Sequence, residues 1–410
     1  MSNSKSKSFF QNFSWTFVGS LIYALSQWLL IVILAKLGTP EIVGQFSLGL
    51  AITAPIILFS NMQMRNLIAT DSTNEYEFSE YLGTRMLLLL FGLFVVFIVA
   101  ISGPYTLTVS LVIILVGLSK VVESLSELTH GYFQKIERMD YAGRSLIIKA
   151  LSSVIAFSLV FYLTNNLNYA LIGLIITWIL RLFLYDLKNT KKYVSIFPKI
   201  NNTKKLIIFS IPLGFVSILN SLNTNIPRYF LEYFGGLEEL GYFSAIAYLL
   251  VAGNLLIRPL SIVAAPRLAN SFQKNDYIRY LKILGTLLIS ALFVGIIILL
   301  IVYNFGELIL TIIYNQSYAE YKNIFIIVMF GSIVSYLTTF INTGIVATRK
   351  FKLQPLINFI TLIVGLISSI TLIPIYGITG AAYITVIVFI TQLLGSTTLL
   401  IVILNKNRRV

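Results

Sequence analysis

Apolar runs of about twenty residues recur from one end of this 410-residue chain to the other. Each is long enough to cross a hydrocarbon core of about 30 Å at about 1.5 Å per residue. No water is present in a bilayer to satisfy backbone N–H and C=O groups, so such runs must be helices. Charged residues are only 11% of the chain and hydrophobic ones 57%, against roughly a quarter charged in soluble domains. An ordinary soluble fold is excluded. The lack of cysteine removes disulfides, thiolate metal sites and cysteine nucleophiles. The opening MSNSKSKSFF is too short and polar for a cleaved signal peptide.

About twelve spans are expected, at roughly 13–36, 42–64, 82–101, 106–127, 145–164, 168–187, 206–231, 240–263, 283–303, 323–346, 355–373 and 377–403. With the amino terminus inside, the inside connectors carry Arg65, Lys135, Arg138, Lys191, Lys192, Lys204, Lys205, Arg267, Lys274, Arg349, Lys350 and Arg408, among others. The outside connectors carry Glu41, Glu238, Glu239, Glu307 and Glu320. This bias predicts cytoplasmic N and C termini. It also explains the net charge of +14 as a topology signal and a contact with anionic headgroups. Nucleic acid is not an expected partner, because the basic residues form no soluble patch.

Two connectors far apart read alike. In LGTPEIVGQFS (37–47) and FGGLEELGYFS (234–244), Gly38, Glu41, Gly44, Phe46 and Ser47 fall on Gly235, Glu238, Gly241, Phe243 and Ser244. A second echo places Tyr169 and Gly173 on Tyr376 and Gly380. The expected architecture is therefore all-α, with two six-helix lobes at 1–190 and 206–410 and a cytoplasmic linker at 191–205. An even number of spans per lobe makes the repeat parallel, with its pseudo-twofold axis along the membrane normal, as in many secondary transporters. Such a repeat places a substrate route between the lobes. A duplicated scaffold without a pathway is the alternative.

Five basic residues lie within expected spans: Lys120, Lys149, Arg181, Arg228 and Arg258. A mid-bilayer charge costs at least ~2.5–3.5 kcal/mol, so each needs a reason. Lys149 and Arg181 are near the inside face, where snorkelling suffices. Lys120 has Glu123 three residues on and Arg228 has Glu232 four on, so a local pair competes with a substrate contact. Arg258 has no acid within a turn and is followed by Pro259, which points to an aqueous cavity or an anion, with snorkelling as the alternative. Asn220, Asn223 and Asn225 lie between Pro212 and Pro227. They are expected to line a cavity and hydrogen-bond sugar hydroxyls, or else to hold helices together. Asn61, Gln63 and Arg65 repeat this chemistry at the inside mouth. Pro212, Pro227 and Pro259 are the candidate hinges. The sole histidine, His130, has no carboxylate partner on its expected surface, and no phosphate-cradling glycine loop occurs. An enzyme is not expected, and neither is a metal or cofactor.

The stretches TNIPRYFLEYFGGLEELGYFSAIAYLLVAGN, SELTHGYFQKIERMDYAGRSLIIKA and LIPIYGITGAAYITVIVFITQLLGS closely resemble the polysaccharide-repeat-unit flippases, the Wzx- or RfbX-type translocases. These belong to the multidrug/oligosaccharidyl-lipid/polysaccharide exporter (MOP) superfamily. The resemblance implies a MATE-like fold of two lobes around a central cavity in the bacterial inner membrane. It implies an undecaprenyl-pyrophosphate-linked oligosaccharide as substrate, moved to the outer leaflet by alternating access for O-antigen, capsule or exopolysaccharide synthesis. Polysaccharide assembly proteins become candidate partners, although a two-lobed transporter needs no second copy. By that analogy Arg258 and Arg228 lead as pyrophosphate contacts, with Lys120 next. A coupling ion, H⁺ or Na⁺, is open, with Glu123, Glu127 and Glu232 as carriers. Alternatives are a multidrug-type cation antiporter, a flippase for peptidoglycan or teichoic precursors, and a membrane glycosyl polymerase.

Overall fold

The computed structural model describes residues 9–350 and 353–408. In chain order the helices are α1 (Phe9–Leu37), α2 (Pro40–Asn61), α3 (Met64–Thr70), α4 (Phe78–Ser102), α5 (Leu107–Lys135), α6 (Met139–Thr164) and α7 (Leu167–Arg181). A π-helical turn, Leu182–Leu187, joins α7 to the short α8 (Lys188–Thr190). Then come α9 (Thr203–Gln273), α10 (Tyr277–Ile313), α11 (Gln316–Ala319), α12 (Lys322–Ala347) and α13 (Gln354–Arg408). No strand occurs among the described residues.

Ten of these helical stretches are long and apolar enough to cross a bilayer. The stretches in α9 and α13 are of double length, and each is broken where a glycine takes a positive φ: Gly236 (φ 80°) and Gly377 (φ 53°). Left-handed backbone costs glycine nothing and most other residues about 1–2 kcal/mol. Counting each half separately gives the twelve expected crossings. The chain is a multi-pass integral membrane protein, and its outward faces agree. Phe94, Phe293, Leu300 and Ile367 are large apolar residues left exposed, as a hydrocarbon solvent requires and water would not tolerate in such number.

Polar side chains at the helix starts take up orphan N–H groups. Asn166 accepts from Asn168 and Tyr169, Asp276 accepts from Arg279 at 2.9 Å, and Thr106 accepts from Val109 at 3.4 Å. Between α2 and α3, Met62 and Gln63 are both left-handed (φ 42° and 50°). Non-glycine residues in that region store about 1–3 kcal/mol each. This break lies in the stretch SNMQMRN that carries Asn61, Gln63 and Arg65. The candidate hinge prolines are different. Helix α9 runs unbroken through Pro212, Pro227 and Pro259, and its non-helical residue is Gly236.

The chain divides into two compact units, residues 1–38 with 45–221, and residues 39–44 with 222–410. In the first, α1 packs on α6, α6 on α7, and α5 on α3, α4 and α7. In the second, α12 packs against both α10 and α13. Its core runs through Tyr280, Leu284, Tyr336 and Phe340.

The repeated connectors meet inside the second unit. A Cβ added at Gly44 would lie 1.9 Å from the Leu237 carbonyl oxygen, and one at Gly241 would lie 1.8 Å from that of Pro40. Gly44 matches Gly241 in the repeat, and Pro40 matches Leu237. Each glycine therefore lies on the other copy's equivalent residue, the reciprocal pattern of a twofold contact. Only glycine permits this approach. Gly241→Ala is expected to destabilise the protein by about 1–3 kcal/mol. Gly285→Ala, a helical site with nothing within 4 Å of the added carbon, should be neutral or stabilising by up to about 1 kcal/mol. Thermal unfolding of the two variants in detergent measures the difference.

Candidate functional site

Along α5, Lys120, Glu123, Glu127 and His130 follow at spacings of three, four and three, which stacks them on one helical face. This polar stripe organises the interior of the first unit. Glu123 is its centre. Its carboxylate accepts from Lys120 Nζ at 2.8 Å and also from Lys149 Nζ and the Tyr23 hydroxyl. Lys149 donates to Tyr23 Oη at 2.9 Å, and its ammonium lies 4.1 Å from the Tyr23 ring centre and 4.0 Å from that of Trp178. Trp178 is fixed in turn by donating to Ser153 Oγ at 2.6 Å. Two ammonium groups thus share one carboxylate. The Lys120 side chain is 25% exposed and that of Lys149 2%. Lys120 is therefore the more exposed member of the pair.

Further along the stripe is a sealed network. Arg181 donates to Ser145 Oγ at 2.7 Å and Ser126 Oγ at 2.6 Å, and its Nη1 lies 3.4 Å from Asp186 Oδ2. Ser126 donates to Asp186 at 2.8 Å, and His130 Nε2 is 3.0 Å from Ser145 Oγ and 3.9 Å from Asp186 Oδ1. Asp186 follows Arg181 by five residues, which in an α-helix points it well away. The π-helical turn winds the chain wider, so that Arg181 and Asp186 share a face.

Three sequence expectations are corrected here. Lys149 and Arg181 do not snorkel. They are 2% and 4% exposed and satisfied by Glu123 and Asp186, because an internal partner costs less than a charge left among lipid tails. His130 does have a carboxylate neighbour, Asp186, which α7 and its π-turn supply from another part of the chain. Arg228 makes no ion pair with Glu232. It donates instead to Asn225 Oδ1 at 2.9 Å, with its guanidinium 5.9 Å from the Tyr248 ring centre.

The other candidates fall in separate places. Asn61 is buried with its Oδ1 unpartnered, Gln63 donates to Ser217 Oγ at 3.2 Å, and Arg65 is half-buried on α3. Asn220 is exposed, whereas Asn223 donates to the Asn358 carbonyl at 3.0 Å. Asn225 and Pro227 are buried, Pro212 is exposed and Pro259 half-buried. The Arg258 side chain lies outside the described residues. The structure brings Arg228 together with Asn225, and Lys120 with Glu123 and Lys149.

Sequence reasoning passed over Arg85. It is 1% exposed on α4, its Nε and Nη1 have no hydrogen-bond partner, and the carboxylate whose charge reaches it is Glu127. Its signal was visible in TRMLLLL, an arginine at the start of an apolar run. Asn342 was also missed: Ser396 donates to its Oδ1 at 2.9 Å. Nothing in the flanking sequence marks it. No group of three or more His, Cys, Asp or Glu able to hold a metal occurs among the described residues.

The fold is that of the MATE and lipid II flippase transporters. An inward-facing MATE family transporter of the MOP superfamily superposes with TM-score 0.75 at 11% identity, covering 94% of this chain and 96% of its own. The lipid II flippase MurJ in an inward closed conformation gives TM-score 0.75 at 12% identity, over 92% and 85%. Sequence narrows this class. Residues 9–272 match the family described as polysaccharide biosynthesis protein. The capsular polysaccharide biosynthesis protein CapF of Staphylococcus aureus is 35% identical over 377 residues, 91% of this chain and 94% of that protein. The chain belongs to the polysaccharide biosynthesis protein family.

The shared carboxylate yields a stability prediction. Glu123→Gln removes the carboxylate that two lysines share in a largely buried site, which costs about 3–5 kcal/mol. Adding Lys149→Met should recover much of that loss. Unfolding curves of the single and double variants in detergent check both statements.

Proposed function

We propose that this protein moves an undecaprenyl-pyrophosphate-linked oligosaccharide from the inner to the outer leaflet of a bacterial cytoplasmic membrane. The product feeds capsule or a related surface polymer. The observation that carries the reading is membership of a polysaccharide biosynthesis family in a chain with a transporter fold. A lipid-linked sugar diphosphate must carry an anion and many hydroxyls through hydrocarbon. It needs cations for the phosphates and amides for the sugar. Lys120 offers the more exposed ammonium of the Glu123 cluster, and Arg228 a guanidinium held by one amide. We assign these two and Arg258 to the diphosphate, and Asn220, Asn223, Asn225, Asn61, Gln63 and Arg65 to the saccharide. In this reading transport proceeds by alternating access, with both termini cytoplasmic and Pro212, Pro227 and Pro259 absorbing the motion. The membrane potential assists export of an anion, at ~2.3 kcal/mol per charge per 100 mV. A coupling H⁺ or Na⁺ is compatible with this, and no organic cofactor is required.

Deleting the protein should make a lipid-linked oligosaccharide accumulate in the inner leaflet, as measured by glycolipid extraction. A cation-to-phosphate hydrogen bond contributes about 1.5–3 kcal/mol, so Lys120→Met and Arg228→Gln should each lower export about 10- to 100-fold. Arg258→Glu should abolish polysaccharide export. If it instead abolished drug efflux and left export intact, the protein would be a cation antiporter.

A further inference from the structure

The first unit holds a cavity apart from the Lys120–Glu123 cluster of α5. Its volume is about 310 Å³, and Tyr76, Phe78, Tyr81, Tyr132, Lys135 and Ser195 are among its walls. That size lies at the lower end of the range for small-molecule sites. Four segments build it: Ile68 of α3, the connector into α4 with the first turn of that helix, the end of α5, and the stretch 194–195 leading towards α9.

The walls are fixed. The Tyr76 and Tyr81 rings meet edge to face at 5.9 Å, and those of Phe78 and Tyr132 at 5.5 Å. Phe78 and Tyr81 are rooted in a buried cluster with Met64, Ile68 and Leu128. The linker is clamped on α4. The Lys199 N–H donates to the Ser79 carbonyl at 2.9 Å, and the Lys199 carbonyl oxygen lies 2.1 Å from where a Gly83 Cβ would be. Asn202 donates to Glu80 at 2.7 Å and Thr84 to Thr203 at 3.1 Å. The expected linker is therefore a docked wall.

The two charged side chains that line this cavity, Lys135 and Glu77, are both paired. Lys135 Nζ is 3.3 Å from Asp71 Oδ2, and Lys199 Nζ is 2.8 Å from Glu77 Oε2. The bond from Lys199 and a second from Ser79 hold the Glu77 carboxyl below its ordinary range, so this pair stays ionised at neutral pH. A phosphate entering here would meet Glu77 and find its cations occupied. What the cavity offers is aromatic surface, the Asn74 amide and hydroxyls. That combination suits a neutral, polyhydroxylated ring, whose C–H faces lie on aromatic carbon while its rim hydroxyls find donors and acceptors.

We propose that this pocket is a saccharide-recognition subsite that holds a neutral hexose unit of the substrate, separate from the residues that take the diphosphate. The proposal rests on the flippase reading above. In that reading the basic connectors 135–138 and 191–199 mark the cytoplasmic face, where a lipid-anchored saccharide projects from the membrane. The subsite reads the sugar there before the diphosphate enters the bilayer.

The test uses the full chain in nanodiscs and two probes. One is the oligosaccharide released by mild acid from the lipid-linked precursor that accumulates in the deletion strain. The other is inorganic pyrophosphate. Ser195→Trp fills the cavity from an exposed position, Tyr132→Ala removes a wall, and Tyr132→Phe keeps the ring. Ser195→Trp and Tyr132→Ala should weaken oligosaccharide binding at least tenfold, with Tyr132→Phe within about threefold of wild type. Pyrophosphate binding should be unchanged in all three. Normal oligosaccharide binding and export in Ser195→Trp and Tyr132→Ala would overturn the subsite while leaving the flippase reading intact. So would equal loss for both probes, or a cavity occupied by a peptide instead. Absence of any accumulated lipid-linked oligosaccharide in the deletion strain would overturn the flippase reading itself.

Discussion

A charge in hydrocarbon must find an opposite charge inside the protein, and in the first unit one carboxylate meets that demand for two lysines. Glu123 accepts from Lys120, Lys149 and Tyr23 at once. It thereby ties α5 to α1 and α6, and the rings of Tyr23 and Trp178 shield the buried ammonium of Lys149. Of the two lysines, Lys120 is the more exposed. The same economy produces the network around Arg181 and Asp186, where serines fill the remaining hydrogen-bonding positions. Both networks hold their helices together as well as placing charge, so their chemistry and their stability are inseparable.

Backbone packing follows from a second constraint, that helices carrying bulky apolar faces approach closely only where side chains vanish. Gly44 and Gly241 provide that place in the second unit, and their reciprocal contacts explain why one chain carries the same connector twice. A duplicated sequence that kept its glycines kept a twofold contact with them. The positive φ of Gly236 serves a different end, a sharp turn between successive crossings in the second copy, where the first copy turns at Gly38 and Thr39.

Much of the architecture was legible in the order of residues. Hydropathy alone gave the crossings, and the echoes at 38–47 and 235–244 gave the repeat. The Lys120–Glu123 pair was visible at helical spacing. The partners of Lys149, Arg181 and His130 were not, because they come from other helices or from a local change of helical pitch. Arg228 bonds Asn225 rather than Glu232 although both spacings reach. Proline was a poor guide to helix breaks. Pro212, Pro227 and Pro259 pass within continuous helix, where neighbouring groups can take up a freed carbonyl. Glycines supplied the turns instead.

The sequence by itself determined that the chain is a bundle of about twelve membrane helices made of two related halves, since apolar length and periodicity are local properties that lipid enforces. It also determined the family, through stretches long enough to be matched residue by residue. Only the tertiary structure decided which charges neutralise each other, which is the more exposed, and where an aromatic cavity forms apart from them. Those outcomes depend on distances between helices far apart in the chain. Burial raises the cost of an unpaired charge so steeply that a shift of a few ångströms selects the partner.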